Sequence, residues 1–538
     1  MKKLLKHPAL LIISIIFFLL LFKNPYSQRN LISNLSPFPD AQYYTTTPRC
    51  FLNGQSWKMC RLHNPEFKGI ETAVPPAYSL IITPAYIINF DVRSFYFINL
   101  LLSFTSLLLL YKISNNFFKN KAITGVILLF YVTNYFIYWY PSLAMAENLF
   151  LPLFLTSILL LQNNTSKKNS FFVGFISACF YATKYAFAPL TLVFPFIYFL
   201  KIIFTKENFK DKVIHSSFVA IPAGLILFNL VGIKELFGVA NEMSNGAMNS
   251  SSSSRVSSGG GYFSINYFSK HFNSYSKALL GKSEKFLWDN TPLVTKWIAL
   301  PGLLGLLSSF KKSEFKFTKI YLIVAIIAQL LFISTFYVVD IRYVYHFLPT
   351  LLLGFGFFLQ LLNKSFLKNK INFYAFITMI LIIYLGSNIL RLKSAIMVNL
   401  KYAETPWWYL SQVEMNKYFN EYQESSTKPS LISLASPFSV DNYSDQNYVV
   451  LPLDAQQDFR RAMSEVWGPN NYENLIKLYE NKLLNNEEVF LTNYGINGAG
   501  YFQESYSEIE KNFVLTKVHT GCHNLCNIYQ LSIKENIE

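Results

Sequence analysis

The sequence predicts an α-helical polytopic membrane protein, with about eleven transmembrane helices and a small mixed α/β extracytoplasmic C-terminal domain. Three observations predict it. Of 538 residues, 52% are hydrophobic, 17% aromatic and only 14% charged, whereas a soluble protein usually carries about 25% charge. The apolar residues fall in blocks of roughly 15 to 22, long enough to cross a ~30 Å hydrocarbon core as helices. Most lysines lie in short loops between those blocks, as cytoplasmic loops do. That placement makes the +16 net charge a matter of topology, and no nucleic-acid partner is expected.

The first apolar block, "PALLIISIIFFLLLF", follows Lys2, Lys3 and Lys6 as a signal peptide's core would. No small-residue cleavage site comes after it, so a retained helix entering from the cytoplasm is expected. The further spans are 93–111, 122–140, 146–161, 171–183, 186–204, 214–232, 292–309, 319–338, 343–362 and 371–390, after a first at 8–22. Three long runs must fold back to give this set. Residues 122–161 form a run of ~60 Å as one helix, twice the bilayer, and turn at Pro141 and Glu147. Residues 171–204 turn near Lys184, and residues 319–362 near "VVDIRY".

The loops then alternate. "YKISNNFFKNK", "NNTSKKN", "KIIFTKENFKDK", "SSFKKSEFKFTK" and "NKSFLKNK" fall on the side of Met1. The other side holds the first outer loop (23–92), a flexible Ser- and Gly-rich loop (233–291) and the tail (391–538), leaving 1–390 as the transmembrane domain. By this parity Glu147, Lys184, Asp340 and Arg342 all face the side of Asp40. A charge at membrane depth costs about 2.5–3.5 kcal/mol on insertion scales, so a shared polar cavity is expected. The compartments read as a bacterial inner membrane, with an endoplasmic reticulum membrane as the other choice.

In the outer loop, "INYFSKHFNSYSKALLG" reads as an amphipathic stretch on the membrane surface. In the tail, "SLISLAS", "NYVVLPL" and "EVFLTNY" read as strands and "YENLIKLYENKLL" as a helix. Cys50, Cys60, Cys522 and Cys526 all fall outside, whereas Cys179 lies in a span. An even number in an oxidising compartment predicts disulfides, most simply Cys50–Cys60 and Cys522–Cys526. Zinc held by "CHNLC" with His523 is the alternative, without an evident second ligand pair.

The order of motifs resembles a known family. A retained first helix, an acid in "PFPDAQYY" and then "AVPPAYSLIITPAYII" resemble the GT-C membrane glycosyltransferases. The resembled branch holds the protein O-mannosyltransferases and lipid A aminoarabinose transferases. "AMAENLFLPLFLTSILLL" is similar to its acid-led fourth span, and "DIRYVYHFLPTLLLGFGFF" to its later Arg-Tyr span. The resemblance covers roughly residues 1 to 390 and leaves the tail unplaced. It implies a polyprenyl phosphate or diphosphate sugar donor, used at the outer face on a glycan, lipid or protein acceptor. Such a donor needs no glycine-rich phosphate loop, and none is present.

Sugar transfer leaves a phosphate with one more negative charge, which Arg342 and Lys184 are placed to bind. The acceptor hydroxyl must lose a proton, and Asp40 fits as general base. One base without an evident nucleophile predicts inversion. Glu147, Tyr43 and His346 are candidates to orient the acceptor. Each has a plainer reading: Asp40 as a turn residue, Glu147 as a helix cap, Lys184 as a snorkelling chain, Arg342 as partner of Asp340, and His346 as helix packing. His63 and Glu66 read as ordinary loop residues. Relatives commonly carry a second acid after the first; here that position is Ala41. No metal and no cofactor is expected. A lipid-linked-glycan transporter or flippase, and a receptor with a sensing tail, are the other function classes; no inverted repeat supports the transporter.

Overall fold

The computed structural model describes residues 8–22, 24–27, 39–55, 75–231, 264–283, 292–308, 315–336, 339–365, 370–400, 407–421, 428–433, 448–453, 471–492, 503–521 and 527–534. Its membrane part begins with α1 (Pro8–Leu21), α2 (Pro39–Leu52), α3 (Ala77–Ile88) and α4 (Phe95–Phe118). Then come α5 (Lys121–Val132), α6 (Tyr135–Trp139), α7 (Glu147–Gln162), α8 (Lys167–Thr183), α9 (Ala188–Ile203) and α10 (Phe209–Ile226). The bundle is completed by α11 (Phe268–Leu279), α12 (Lys296–Leu307), α13 (Lys316–Ile333), α14 (Leu348–Ser365) and α15 (Lys370–Leu400).

Polar residues set where these helices start. Asn120, Ser166 and Asn208 each accept hydrogen bonds from backbone N–H groups of the first turn they precede, satisfying donors that lack a helical partner. Asn134 does the same for α6, and there the expected single span 122–140 is bent by 57°. Among the described residues, six helices are long and apolar enough to cross a bilayer, or seven if that bent pair is one span. Helices α1, α7 and α12 are apolar but shorter, and α8 has 17 residues. Each of the eleven expected spans thus has a helix, but length supports fewer crossings than eleven. The expected boundary at 390 also falls inside a continuous helix, α15.

Packing in the bundle relies on glycine where backbones approach closely. Helices α12 and α14 meet through Gly302, Gly305 and Gly354. A methyl group added at Gly305 would overlap the Gly354 carbonyl oxygen and lie 2.7 Å from the Phe358 nitrogen. Small residues at such crossings let helices associate by dispersion where lipid removes the hydrophobic drive. Helix α14 is the buried centre of the bundle, whereas α15 exposes Ile371, Ile382 and Leu390, as a lipid-facing helix would.

In the tail, α16 (Trp407–Glu421), β1 (Ser430–Ser433), β2 (Val449–Pro452), α17 (Tyr472–Leu484), β3 (Val489–Thr492), α18 (Gln503–Asn512), β4 (Phe513–His519) and β5 (Ile528–Ile533) follow in order. The sheet order is β2-β1-β3-β5-β4. Strand β1 runs parallel to β2 and β3, and β5 antiparallel to β3 and β4. Successive residues point to opposite faces. Leu431 and Phe490 therefore pack under Met415 and Phe419 of α16, while Ile432 and Leu491 pack under Leu475 and Tyr479 of α17. The three expected strands and the expected helix are present. Strands β4 and β5 were not anticipated, since the alternation in "FVLTKVH" and "IYQLSI" is weak.

The glycine contact is directly testable. Gly305→Leu is expected to destabilise the bundle by roughly 1–3 kcal/mol or more, read as a lowered thermal midpoint of purified protein in detergent. An unchanged midpoint would show that α12 and α14 tolerate separation.

Candidate functional site

Three non-helical turns meet at one end of the bundle, and each carries charge. The first, residues 140–146, joins α6 to α7. Its carbonyls are held by two asparagines. Asn99 donates to the carbonyls of Pro141 (3.0 Å) and Leu143 (2.9 Å). Asn148 donates to Tyr140 (3.0 Å), Leu143 (2.9 Å) and Met145 (3.1 Å). Irregular backbone at this depth is tolerated only when such partners satisfy it. The turn delivers Glu147 as the first residue of α7.

The second turn begins at Lys184, the C-cap of α8. Its Nζ donates to Glu147 Oε1 at 2.9 Å, and both side chains are buried. Among the described residues, Glu147 Oε2 has no hydrogen-bond partner. The third turn, residues 339–347, holds Asp340 and Arg342. Asp340 Oδ1 accepts the Arg342 backbone N–H at 3.0 Å, and Arg342 Nε lies 2.9 Å from Asp340 Oδ2. That second contact is ionic without the alignment of a hydrogen bond.

Tyr343 ties the two halves together. The Lys184 ammonium lies 5.4 Å from its ring centre and the Arg342 guanidinium carbon 5.1 Å, both within cation–π range. Arg342 also reaches Met145 Sδ at 4.0 Å, across to the first turn. Burial pushes the Asp340 carboxyl above the usual carboxylate range, opposed by Arg342. The Asp340 backbone N–H donates to the Tyr275 hydroxyl at 3.1 Å. Tyr275 belongs to α11, from the stretch expected to lie on the membrane surface. The buried face of that helix packs on α13 and braces the Asp340 turn.

The expected convergence of Glu147, Lys184, Asp340 and Arg342 is therefore present. Asp40 lies in the first turn of α2, with Tyr43 half-buried three residues later. That helix packs on α3: the Tyr44 and Tyr78 rings meet edge-on at 5.1 Å, and Ser79 donates to the Tyr44 carbonyl at 3.3 Å. Tyr78 donates to Asn99 at 2.8 Å, the same asparagine that clamps the 140–146 turn. The helix carrying Asp40 is thus linked to the first charged turn through Tyr44, Tyr78 and Asn99.

His346 packs among aromatic rings next to the turns that carry the cluster. Its ring sits among Phe150 (4.8 Å), Phe154 (5.2 Å), Phe187 (5.2 Å) and Phe347 (4.1 Å). Residues 341–347, expected to open a helix at 343, form two 3₁₀ turns instead. Cys50 is disulfide-bonded and Cys179 is free. Cys60, Cys522, Cys526, His523, His63 and Glu66 lie outside the described residues, as does the Ser- and Gly-rich stretch 245–263. Asn99, Asn148, Tyr78, Tyr275 and Tyr343 escaped sequence reading. The two asparagines had a signal, being polar residues inside apolar helices; the tyrosines had none in so aromatic a chain.

No protein-family model matches the chain, and no curated protein matches it. Solved structures do. The fold is that of a polytopic membrane protein of the GT-C type. ArnT from Cupriavidus metallidurans in the apo state superposes with a TM-score of 0.55 and 11% identity, over 91% of this chain and 92% of that one. ArnT bound to undecaprenyl phosphate gives 0.59 and 10%, over 97% of each. At these identities the likeness establishes the shared fold, C-terminal region included.

Removing one partner of a buried pair strands the other. Lys184→Met is expected to cost roughly 3–5 kcal/mol, and the double variant Lys184→Met/Glu147→Gln to recover most of that loss. Thermal unfolding of the purified variants checks both, and equal stability of the single and double variants would deny the pair.

Proposed function

We propose that this protein is an integral membrane glycosyltransferase that moves a sugar from a polyprenyl-phosphate donor to an extracytoplasmic acceptor. The observation that carries the reading is the buried cluster of Lys184 and Arg342, in a fold whose ArnT counterpart binds undecaprenyl phosphate. Two cations bridged by one tyrosine suit a phosphate head group arriving from the bilayer.

Transfer breaks the bond between C1 of the sugar and the phosphate oxygen. The leaving phosphate gains a negative charge, which Lys184 and Arg342 bind more strongly than they bind the donor, lowering the barrier. The acceptor hydroxyl attacks C1 from the opposite side and gives its proton to Asp40, so the sugar inverts. Tyr43 and Glu147 orient the acceptor beside Asp40. No step requires a metal. Cys50–Cys60 and Cys522–Cys526 are the proposed disulfides, and the N-terminus is placed in the cytoplasm with the C-terminal domain outside.

Asp40→Asn is expected to lower transfer in membranes by roughly 10²–10⁴-fold while the purified variant keeps its thermal midpoint. Near-normal glycan product from that variant removes Asp40 as the base. Mass spectrometry of lipid extracted from purified wild-type protein is expected to find a polyprenyl phosphate.

A further inference from the structure

We infer that Glu147 and Asp340 are internal stand-ins for the donor's phosphate, occupying Lys184 and Arg342 until the lipid arrives and exchanges with them. The inference rests on the proposed role of the two cations and concerns how their site is regulated. Each cation in the cluster already contacts a carboxylate at 2.9 Å, so the charges of these four side chains cancel. A phosphate oxygen needs the same position on the ammonium that Glu147 Oε1 holds. The two acids are nine-tenths or more buried, so water does not screen them. Binding is therefore a competition between anions for fixed cations.

The geometry favours exchange over a permanent lock. Glu147 uses one oxygen for Lys184 and leaves Oε2 without a hydrogen bond among the described residues. Arg342 meets Asp340 Oδ2 through Nε without hydrogen-bond alignment. In each pair the carboxylate contact at 2.9 Å is what a phosphate oxygen must replace, and the phosphate then pairs the cation in its turn. Asp340 keeps its bond to the Arg342 backbone N–H, so its turn holds its shape when the side-chain contact is broken. Glu147 stays fixed at the start of α7 by a turn that the asparagines clamp. Once displaced, its carboxylate faces whatever enters beside the phosphate.

The test is binding of undecaprenyl phosphate to the full chain in nanodiscs, with undecaprenol and inorganic phosphate as parallel probes. Glu147→Gln removes the competitor and leaves the cation, so the lipid phosphate should bind about tenfold tighter than to wild type. Glu147→Asp, which keeps the charge, should stay near wild type. The double variant Lys184→Met/Glu147→Gln should lose the gain, and undecaprenol should show none. Asp340→Asn gives a second, independent arm through Arg342. A matching gain with inorganic phosphate would also support exchange and assign the site to phosphate whatever its lipid. Unchanged or weaker binding to both Glu147→Gln and Asp340→Asn, with wild type binding normally, overturns the inference and leaves the proposed function standing. Failure of wild type and every variant to bind the lipid phosphate overturns both.

Discussion

The structure depends on burying the charges of its three clustered turns in opposite pairs. Lys184 and Glu147 come from different helices 37 residues apart, yet they meet at 2.9 Å where neither sees much water. An isolated ion in that place would shift its protonation or force the turn open. The pair therefore constrains three things at once: the end of α8, the start of α7 and the non-helical segment before Glu147. Arg342 and Asp340 repeat the device within one turn, and Tyr343 binds the two pairs into one cluster.

Around that cluster the problem is backbone rather than charge. Turns at membrane depth leave carbonyls without helical partners, and the side-chain amide nitrogens of Asn99 and Asn148 make five contacts to carbonyls of the 140–146 turn. Such clamps fix the turn in one conformation, which is what a binding site needs from its supporting residues. Gln329 does similar service, donating to the Ala186 carbonyl just beyond Lys184. Two of the three charged turns are thus held by a side-chain amide from another helix, and the third by the Tyr275 hydroxyl.

Much of this was legible in the sequence because hydrophobicity and parity are long-range signals. Runs too long for one crossing had to fold back, and the residues at the folds had to lie together, which located Glu147, Lys184, Asp340 and Arg342 before any coordinates. What stayed hidden was local. Residues 341–347 form two 3₁₀ turns where a helix was expected from 343, a difference that composition does not encode. Tyr343 and Tyr275 look like any other of the chain's aromatics until the fold aims them. Strand β4 was missed because it lies at one edge of the sheet, where polar residues are tolerated on both faces, and β5 because its alternation is weak. The span count is supported only in part: α7, α8 and α12 are helices in the expected places but have 16, 17 and 12 residues.

A balanced cluster also answers a difficulty that a purely cationic site would raise. On the proposed reaction the donor carries a phosphodiester and the product a phosphate monoester with one more negative charge. Bare cations would hold the product harder than the donor, because attraction grows with charge and the site is shielded from solvent. Tight binding of that charge helps in the transition state and hinders release afterwards. Carboxylates fixed beside the cations compete with both ligands, and they are present again the moment the product loosens. The same pairing that allows Lys184 and Arg342 to be buried without a ligand therefore limits how firmly any phosphate is retained, so folding and turnover place the same demand on Glu147 and Asp340.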